Sequence, residues 1–255
     1  MTSKLTPLAW IGVAAATMTS ASAATVAFGP ATTFSSASVL DTPYTAGYTF
    51  VSAMNIGDTA KAFTTLGGNS ITFAAGTGAA DLGDVDMPAA ASGTTGYYNG
   101  NAQWSASIFA GGTGITAFDD ILRGNAWHTN ASDSARPLTL RLTGLTIGQT
   151  YAVYLYSVDA RAGSAGRAQA YWDGFSSPNF TGNTSGSFSQ NSATVVQGTF
   201  TANAAYQDVF VQETDGVGND DTHLAAFTLY TIPEPSSALL LTGACLLFGF
   251  SRRRP

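Results

Sequence analysis

The chain has 255 residues, of which only 10 % are charged, with ten basic and sixteen acidic side chains and a formal net charge of −6. Between its two apolar ends, residues 24–231 hold six basic and fifteen acidic side chains, a net charge of −9. Such a surface repels nucleic acid and anionic lipid, which excludes nucleic-acid binding.

The chain opens with Lys4, an apolar stretch from Leu5 to Ala16, and Ala21-Ser22-Ala23, the small-x-small pattern a signal peptidase accepts. This predicts a signal peptide over residues 1–23, cut after Ala23. A retained N-terminal anchor is the alternative, and the small residues after Thr19 suit a cleavage region better than a stop-transfer flank. The one cysteine, Cys245, lies near the other end, so residues 24–231 have no disulfide and must be stabilised by packing, or by packing and a metal. About 208 residues suffice for one β-rich domain with a sizeable core.

Glycine, serine, threonine and alanine dominate this body, and few windows place apolar residues at helical spacing, which predicts an all-β fold. Strands are expected at Gly47 to Ala53 and Ser70 to Ala74. Ala75 to Asn101, rich in glycine, alanine and aspartate, is expected to be a long surface excursion. Another strand is expected at Gln103 to Phe109. Asp119-Asp120 then precedes Ile121-Leu122-Arg123-Gly124, which suits a turn or short helix with an aspartate at its start. Adjacent carboxylates also raise glycosidase chemistry, which needs two acids about 5–10 Å apart across the scissile bond. Neighbours on a strand face opposite ways, so catalysis by this pair is not expected.

Trp127 and His128 lie in a loop-like Gly-Asn-Ala-Trp-His-Thr-Asn segment and are the expected exposed ligand-binding pair, an aromatic face against which a sugar ring packs. Trp104, Trp172, Tyr97 and Tyr98 offer the same chemistry, with Trp172 expected in the core. His128 and His223 have no metal-ligand spacing, and no Gly-x-Ser-x-Gly elbow marks a nucleophile.

Leu138, Leu140 and Leu142 alternate with Thr139, Arg141 and Thr143, the pattern of a half-buried strand. Gly144 to Gln149 supplies turn chemistry. From Thr150 to Asp159, Val153 and Leu155 line one face and Tyr154 and Tyr156 the other, so this strand is expected to be buried on both sides. Asp159 and Arg161 suit an ion pair at a strand edge. Further strands are expected at Gly166 to Trp172, Ala193 to Ala202, Gln207 to Glu213 and His223 to Thr231. Some nine short strands suit a single two-sheet β-sandwich over residues 24–231.

Before the last of these strands, Asp215-Gly216-Val217-Gly218-Asn219-Asp220-Asp221 is a glycine-interrupted acidic loop. Asp215, Asn219, Asp220 and Asp221 offer the oxygens that calcium takes, although the spacing is not that of an EF-hand and the same residues are ordinary turn chemistry. No other cofactor is expected.

Residues 232–255 run Ile232-Pro233-Glu234-Pro235-Ser236, a thirteen-residue apolar stretch from Ala238 to Phe250, then Arg252-Arg253-Arg254-Pro255. Prolines break the preceding strand, the stretch is short against the ~20 residues of a stable span, and clustered arginines stay on the cytoplasmic side. Read alone, the stretch is a short hydrophobic helix entering the membrane transiently or a core helix; three arginines directly after it favour the membrane. The tail resembles the PEP-CTERM sorting signal of exported bacterial proteins in motif, apolar segment and basic end. The resemblance implies cleavage near Pro233-Glu234-Pro235 by an exosortase, a membrane intermediate held by Arg252, Arg253 and Arg254, and a final place at the cell surface or outside.

The body carries Leu140-x-Leu142-x-Gly144-Leu145-Thr146-x-Gly148-Gln149-x-Tyr151-x-Val153-x-Leu155, flanked by Gly47 to Ala53 and Gly198 to Ala202. This series resembles exported proteins of PEP-CTERM-bearing bacteria whose bodies look like galactose-binding-type jelly rolls. The resemblance implies a jelly-roll-like sandwich and transfers no active site. The expected function is a non-catalytic surface or matrix protein that binds extracellular polysaccharide. The alternative is a polysaccharide-active enzyme on the same fold.

Overall fold

The computed structural model describes residues 24–56, 59–76, 85–86, 94–98, 112–129, 138–158, 169–173, 193–213 and 221–234. Both expected terminal helices, the strand at Gln103 to Phe109 and the Asp159–Arg161 pair lie outside them. The chain is an all-β sandwich, with strands β1 (Ala27–Phe28), β2 (Thr32–Phe34), β3 (Thr49–Asn55), β4 (Lys61–Thr64), β5 (Ser70–Ala75), β6 (Val85–Asp86), β7 (Thr94–Tyr98) and β8 (Asn125–Thr129). Then follow β9 (Leu138–Thr143), β10 (Thr150–Ser157), β11 (Gln169–Trp172), β12 (Ala193–Thr201), β13 (Tyr206–Glu213), β14 (Asp221–Leu224) and β15 (Ala226–Thr231). A 3-10 helix (Ala37–Asp41), a one-turn helix α1 (Thr42–Thr45) and helix α2 (Thr116–Arg123) complete the described elements.

The large sheet runs β1-β12-β10-β15-β3-β5-β4, with β2 also paired to β12. The smaller runs β11-β13-β9-β6, and a third, β14-β8-β7, stands beside them. All pairings are antiparallel except β3 with β5. Strand β10 explains the plan. From Tyr151 to Ser157 every residue is buried, because both faces of its sheet are covered. Tyr151, Val153 and Leu155 join Leu138, Leu140, Leu142, Val209 and Val211 of the smaller sheet in one apolar cluster. Ala152, Tyr154 and Tyr156 join Leu40, Phe73, Phe118, Ile121 and Leu122 in a second, under the helices. Each aliphatic side chain so buried contributes about 1.5–3 kcal/mol.

The β9–β10 turn is fixed by backbone chemistry. Gly144 and Gly148 have φ of +70° and +88°, a region other residues rarely adopt. Tyr151 Oη accepts the Thr146 N–H at 2.9 Å, tying the turn to the strand that follows. In helix α2, Phe118, Ile121 and Leu122 recur at i, i+3 and i+4 and are all buried. The expected short helix is present but begins earlier, at Thr116, with Ile115 and not an aspartate as its cap; Asp119, inside its first turn, accepts the Thr113 N–H at 2.8 Å.

Four expectations are corrected. Ala75 to Asn101 is not wholly an excursion, since β6 and β7 lie within it. The predicted strand from His223 to Thr231 is two strands, because the chain changes sheets at Ala225, whose N–H donates to the Tyr156 carbonyl at 2.8 Å. Trp172 is half-buried rather than core, because Tyr171 takes the inward position. Strands number fifteen among the described residues, with a third sheet, against the nine expected in two.

Gly198 lets the first strand close on the sheet. A β-carbon there would stand 2.8 Å from Val26 Cγ1 and 2.9 Å from Phe28 Cε1. Gly198→Val therefore pushes β1 off β12, and a urea titration is expected to show a loss of about 1–3 kcal/mol.

Candidate functional site

The outer face of the smaller sheet gathers aromatic and polar side chains in register. Antiparallel partners share a face, and β9 and β13 pair Tyr206 with Thr143, Asp208 with Arg141, and Phe210 with Thr139. Strand β11 adds Trp172 opposite Phe210. Inward positions between them, Leu140, Leu142, Val209 and Val211, are core. The same alternation that buries one face therefore lines up this row on the other.

Arg141 is locked in place. Its Nε and Nη2 donate to the two oxygens of Asp208 at 2.8 and 2.9 Å, and its guanidinium lies 4.5 Å from the centroid of the Tyr206 ring. A planar fork held at two points and stacked on a ring has little freedom left to lose when a ligand arrives. Tyr206 stays 43 % exposed, enough to offer a ring to a partner. Trp172 and Phe210 stack at 5.9 Å and 21°, closing the far end of the row. From Tyr206 to Phe210 the row extends about 13 Å, at ~3.3 Å per strand residue.

Five described carboxylates with resolved contacts hold the structure together. Asp41 accepts from the Thr65 hydroxyl, the Gly67 N–H at 2.8 Å and Asn69 Nδ2 at 3.2 Å. Asp119 takes the Thr113 N–H, and Asp173 the Val26 N–H. Asp120 pairs with Lys61 and Arg123, and Asp208 with Arg141. Among the described residues no three His, Cys, Asp or Glu side chains gather as metal ligands would.

Trp127 and His128 lie in β8, the middle strand of the third sheet, not in a loop. His128 stands in register with Thr222, and Trp127 with His223, so the two histidines are not cross-strand partners. Asp221 opens β14 opposite Thr129, which takes it out of the expected loop. Asp215, Asn219 and Asp220, with Ala21, Ala23, Pro235, Arg252, Arg253 and Arg254, lie outside the described residues. Pro233 and Glu234 are exposed, just past the last sheet bond from the Ile232 N–H to the Thr150 carbonyl at 2.9 Å. Among the described residues no helix is long and apolar enough to cross a membrane. The row on β9 and β13 escaped sequence reasoning because the pairing of Arg141 with Asp208 spans 67 positions.

No family model matches the chain, and no curated protein matches it. Among solved structures it is similar to the crystal structure of the plant receptor-like kinase ANX2, with a TM-score of 0.49 and 12 % identity, over 73 % of this chain and 49 % of that one. This chain thus spans about half the length of the ANX2 chain. It is also similar to the CBM22-1 xylan-binding domain of Paenibacillus barcinonensis Xyn10C, with a TM-score of 0.31 and 15 % identity, over 44 % of this chain and 74 % of that domain. Neither likeness carries a ligand or an active site across.

Proposed function

We propose that the chain is a non-catalytic exported surface protein that grips an uncharged extracellular polysaccharide through the outer face of its smaller sheet. The row of Tyr206, Arg141, Asp208 and Trp172 supports this reading. Aromatic rings take the C–H faces of sugars, and a fixed guanidinium and carboxylate take hydroxyls. The net charge of −9 on residues 24–231 disfavours a polyanionic chain. In the same proposal the signal peptide is removed after Ala23 by signal peptidase, and an exosortase-type peptidase processes the tail near Pro233-Glu234-Pro235. Calcium at Asp215, Asn219, Asp220 and Asp221 and sugar contact by Trp127 and His128 belong to the proposal as well. The engagement of the five carboxylates in structural bonds favours binding over hydrolysis.

Affinity electrophoresis against a panel of neutral polysaccharides, with calcium and with a chelator, tests this. At least one polymer is expected to retard the protein, and Tyr206→Ala to weaken that binding about tenfold, equivalent to ~1.4 kcal/mol. Ile147→Ala, at a residue 67 % exposed on the β9–β10 turn, is expected to change nothing. Absence of retardation by every polymer, in both conditions, overturns the proposal.

A further inference from the structure

We infer that a groove on the helix-covered face of the large sheet is a second ligand site, built for a single uncharged sugar ring or a polyol of that size. It does not rest on the polysaccharide row, which lies on the outer face of the other sheet. Cross-strand partners Tyr154 of β10 and Gln197 of β12 form its floor. Pro30 of the β1–β2 connection and Thr32 of β2 wall one side, and Val39 of the 3-10 helix with Thr42 of α1 wall the other. The cavity measures about 280 Å³. Drug-sized ligands occupy ~300–1,000 Å³, so this one suits a single ring and not a chain laid through it.

The polar groups here are unspent. The Gln197 carboxamide, the Thr32 and Thr42 hydroxyls and the Tyr154 hydroxyl have no hydrogen-bond partner among the described residues. The Gln197 backbone carbonyl accepts the Gly29 N–H at 2.8 Å and holds the wall to the floor. A fold that satisfies Tyr171, Ser157 and Gln169 with one another in its interior leaves these four residues lining one cavity.

Their chemistry selects the ligand. A carboxamide and three hydroxyls each donate and accept, as the hydroxyls of a sugar do. Among the described residues no charged side chain lines the groove, so a charged ligand would lose its hydration without a counter-charge. Pro30, Val39 and the Tyr154 ring supply the apolar surface that the C–H face of a pyranose covers.

Saturation-transfer NMR on the purified full-length chain, with galactose, glucose and xylose each as the probe and glucuronate as the charged comparison, tests the site. At least one neutral sugar is expected to take up saturation while glucuronate does not. Gln197→Leu, which keeps the volume, is expected to weaken that sugar at least tenfold. Thr42→Val, at an exposed residue whose change spares the fold, is expected to weaken it several-fold. Tyr206→Ala is expected to leave sugar binding intact, and Gln197→Leu to leave polysaccharide retardation intact, which separates failure here from failure of the polysaccharide reading. Repeating the measurement with a trisaccharide ending in the bound sugar tells a free sugar from a chain end. No saturation of any of the three sugars, or binding unchanged in both Gln197→Leu and Thr42→Val, overturns the inference.

Discussion

Raising the pH from 10 to 12 is expected to unfold the protein cooperatively. The cause is a set of tyrosines that burial keeps protonated. Tyr154 and Tyr171 are pushed up from 10.0 to about 12, and Tyr156 and Tyr230 are raised as well, desolvation being the largest cause in each. In the unfolded chain these groups lose their protons near pH 10, whereas in the folded protein Tyr154 and Tyr171 hold them to about 12, and Tyr156 and Tyr230 also keep theirs above the ordinary range. Between those limits the unfolded state binds fewer protons, so stability is fully present below pH 10 and falls as pH rises. Each such group steepens the fall by up to ~1.4 kcal/mol per pH unit. Tyr156, Tyr171 and Tyr230 are all 0 % exposed. Together they remove at most ~4 kcal/mol per pH unit, against a total stability of about 5–15 kcal/mol. Near-ultraviolet circular dichroism along a pH titration reads this directly. A spectrum unchanged to pH 12 would show that the fold stays closed over protonated tyrosines and would contradict this expectation.

Phe118→Ala is expected to cost about 3–5 kcal/mol, because it removes the anchor of helix α2. Phe118 is fully buried, with ring centroids 6.1 Å from Phe34, 6.3 Å from Phe73 and 5.8 Å from Tyr156. The last contact is edge-to-face at 87°, a geometry worth ~0.5–1.5 kcal/mol beyond the area it buries. One truncation therefore opens a cavity where the helix, β2, β5 and β10 meet. Polar contacts on the same helix contribute far less. Asp120 pairs with Lys61 at 3.1 Å and Arg123 at 3.4 Å, but these side chains are 29–38 % exposed, and such pairs are worth ~0–1 kcal/mol. Urea unfolding is expected to show a large drop in midpoint for Phe118→Ala and a small one for Asp120→Ala. Equal drops would mean that the ion pairs, and not the apolar face, hold the helix.

Local pattern carried much of this architecture. The alternation from Leu138 to Thr143 predicted one buried face, and each leucine is at most 1 % exposed. Val153 and Leu155 on one face and Tyr154 and Tyr156 on the other predicted burial on both sides, which two separate apolar clusters provide. What stayed hidden was long-range pairing. Asn125–Thr129 has the composition of a loop and becomes a strand only because Asp221–Leu224 and Thr94–Tyr98 come alongside it. The short strands β1 and β2 have no period of their own and exist by pairing with different stretches of β12. The outer row is illegible for the same reason. Tyr206, Arg141 and Asp208 are ordinary surface residues until the register of β9 with β13 makes them neighbours.

Chemical-shift mapping of the isotope-labelled protein, titrated with a neutral oligosaccharide cut from whichever polymer retards it, tests the polysaccharide reading most directly. The expected result is a contiguous set of perturbed signals at Tyr206, Asp208, Arg141, Thr143 and Trp172, which Tyr206→Ala shifts to about tenfold higher oligosaccharide concentration. Perturbations that avoid β9 and β13 would contradict it.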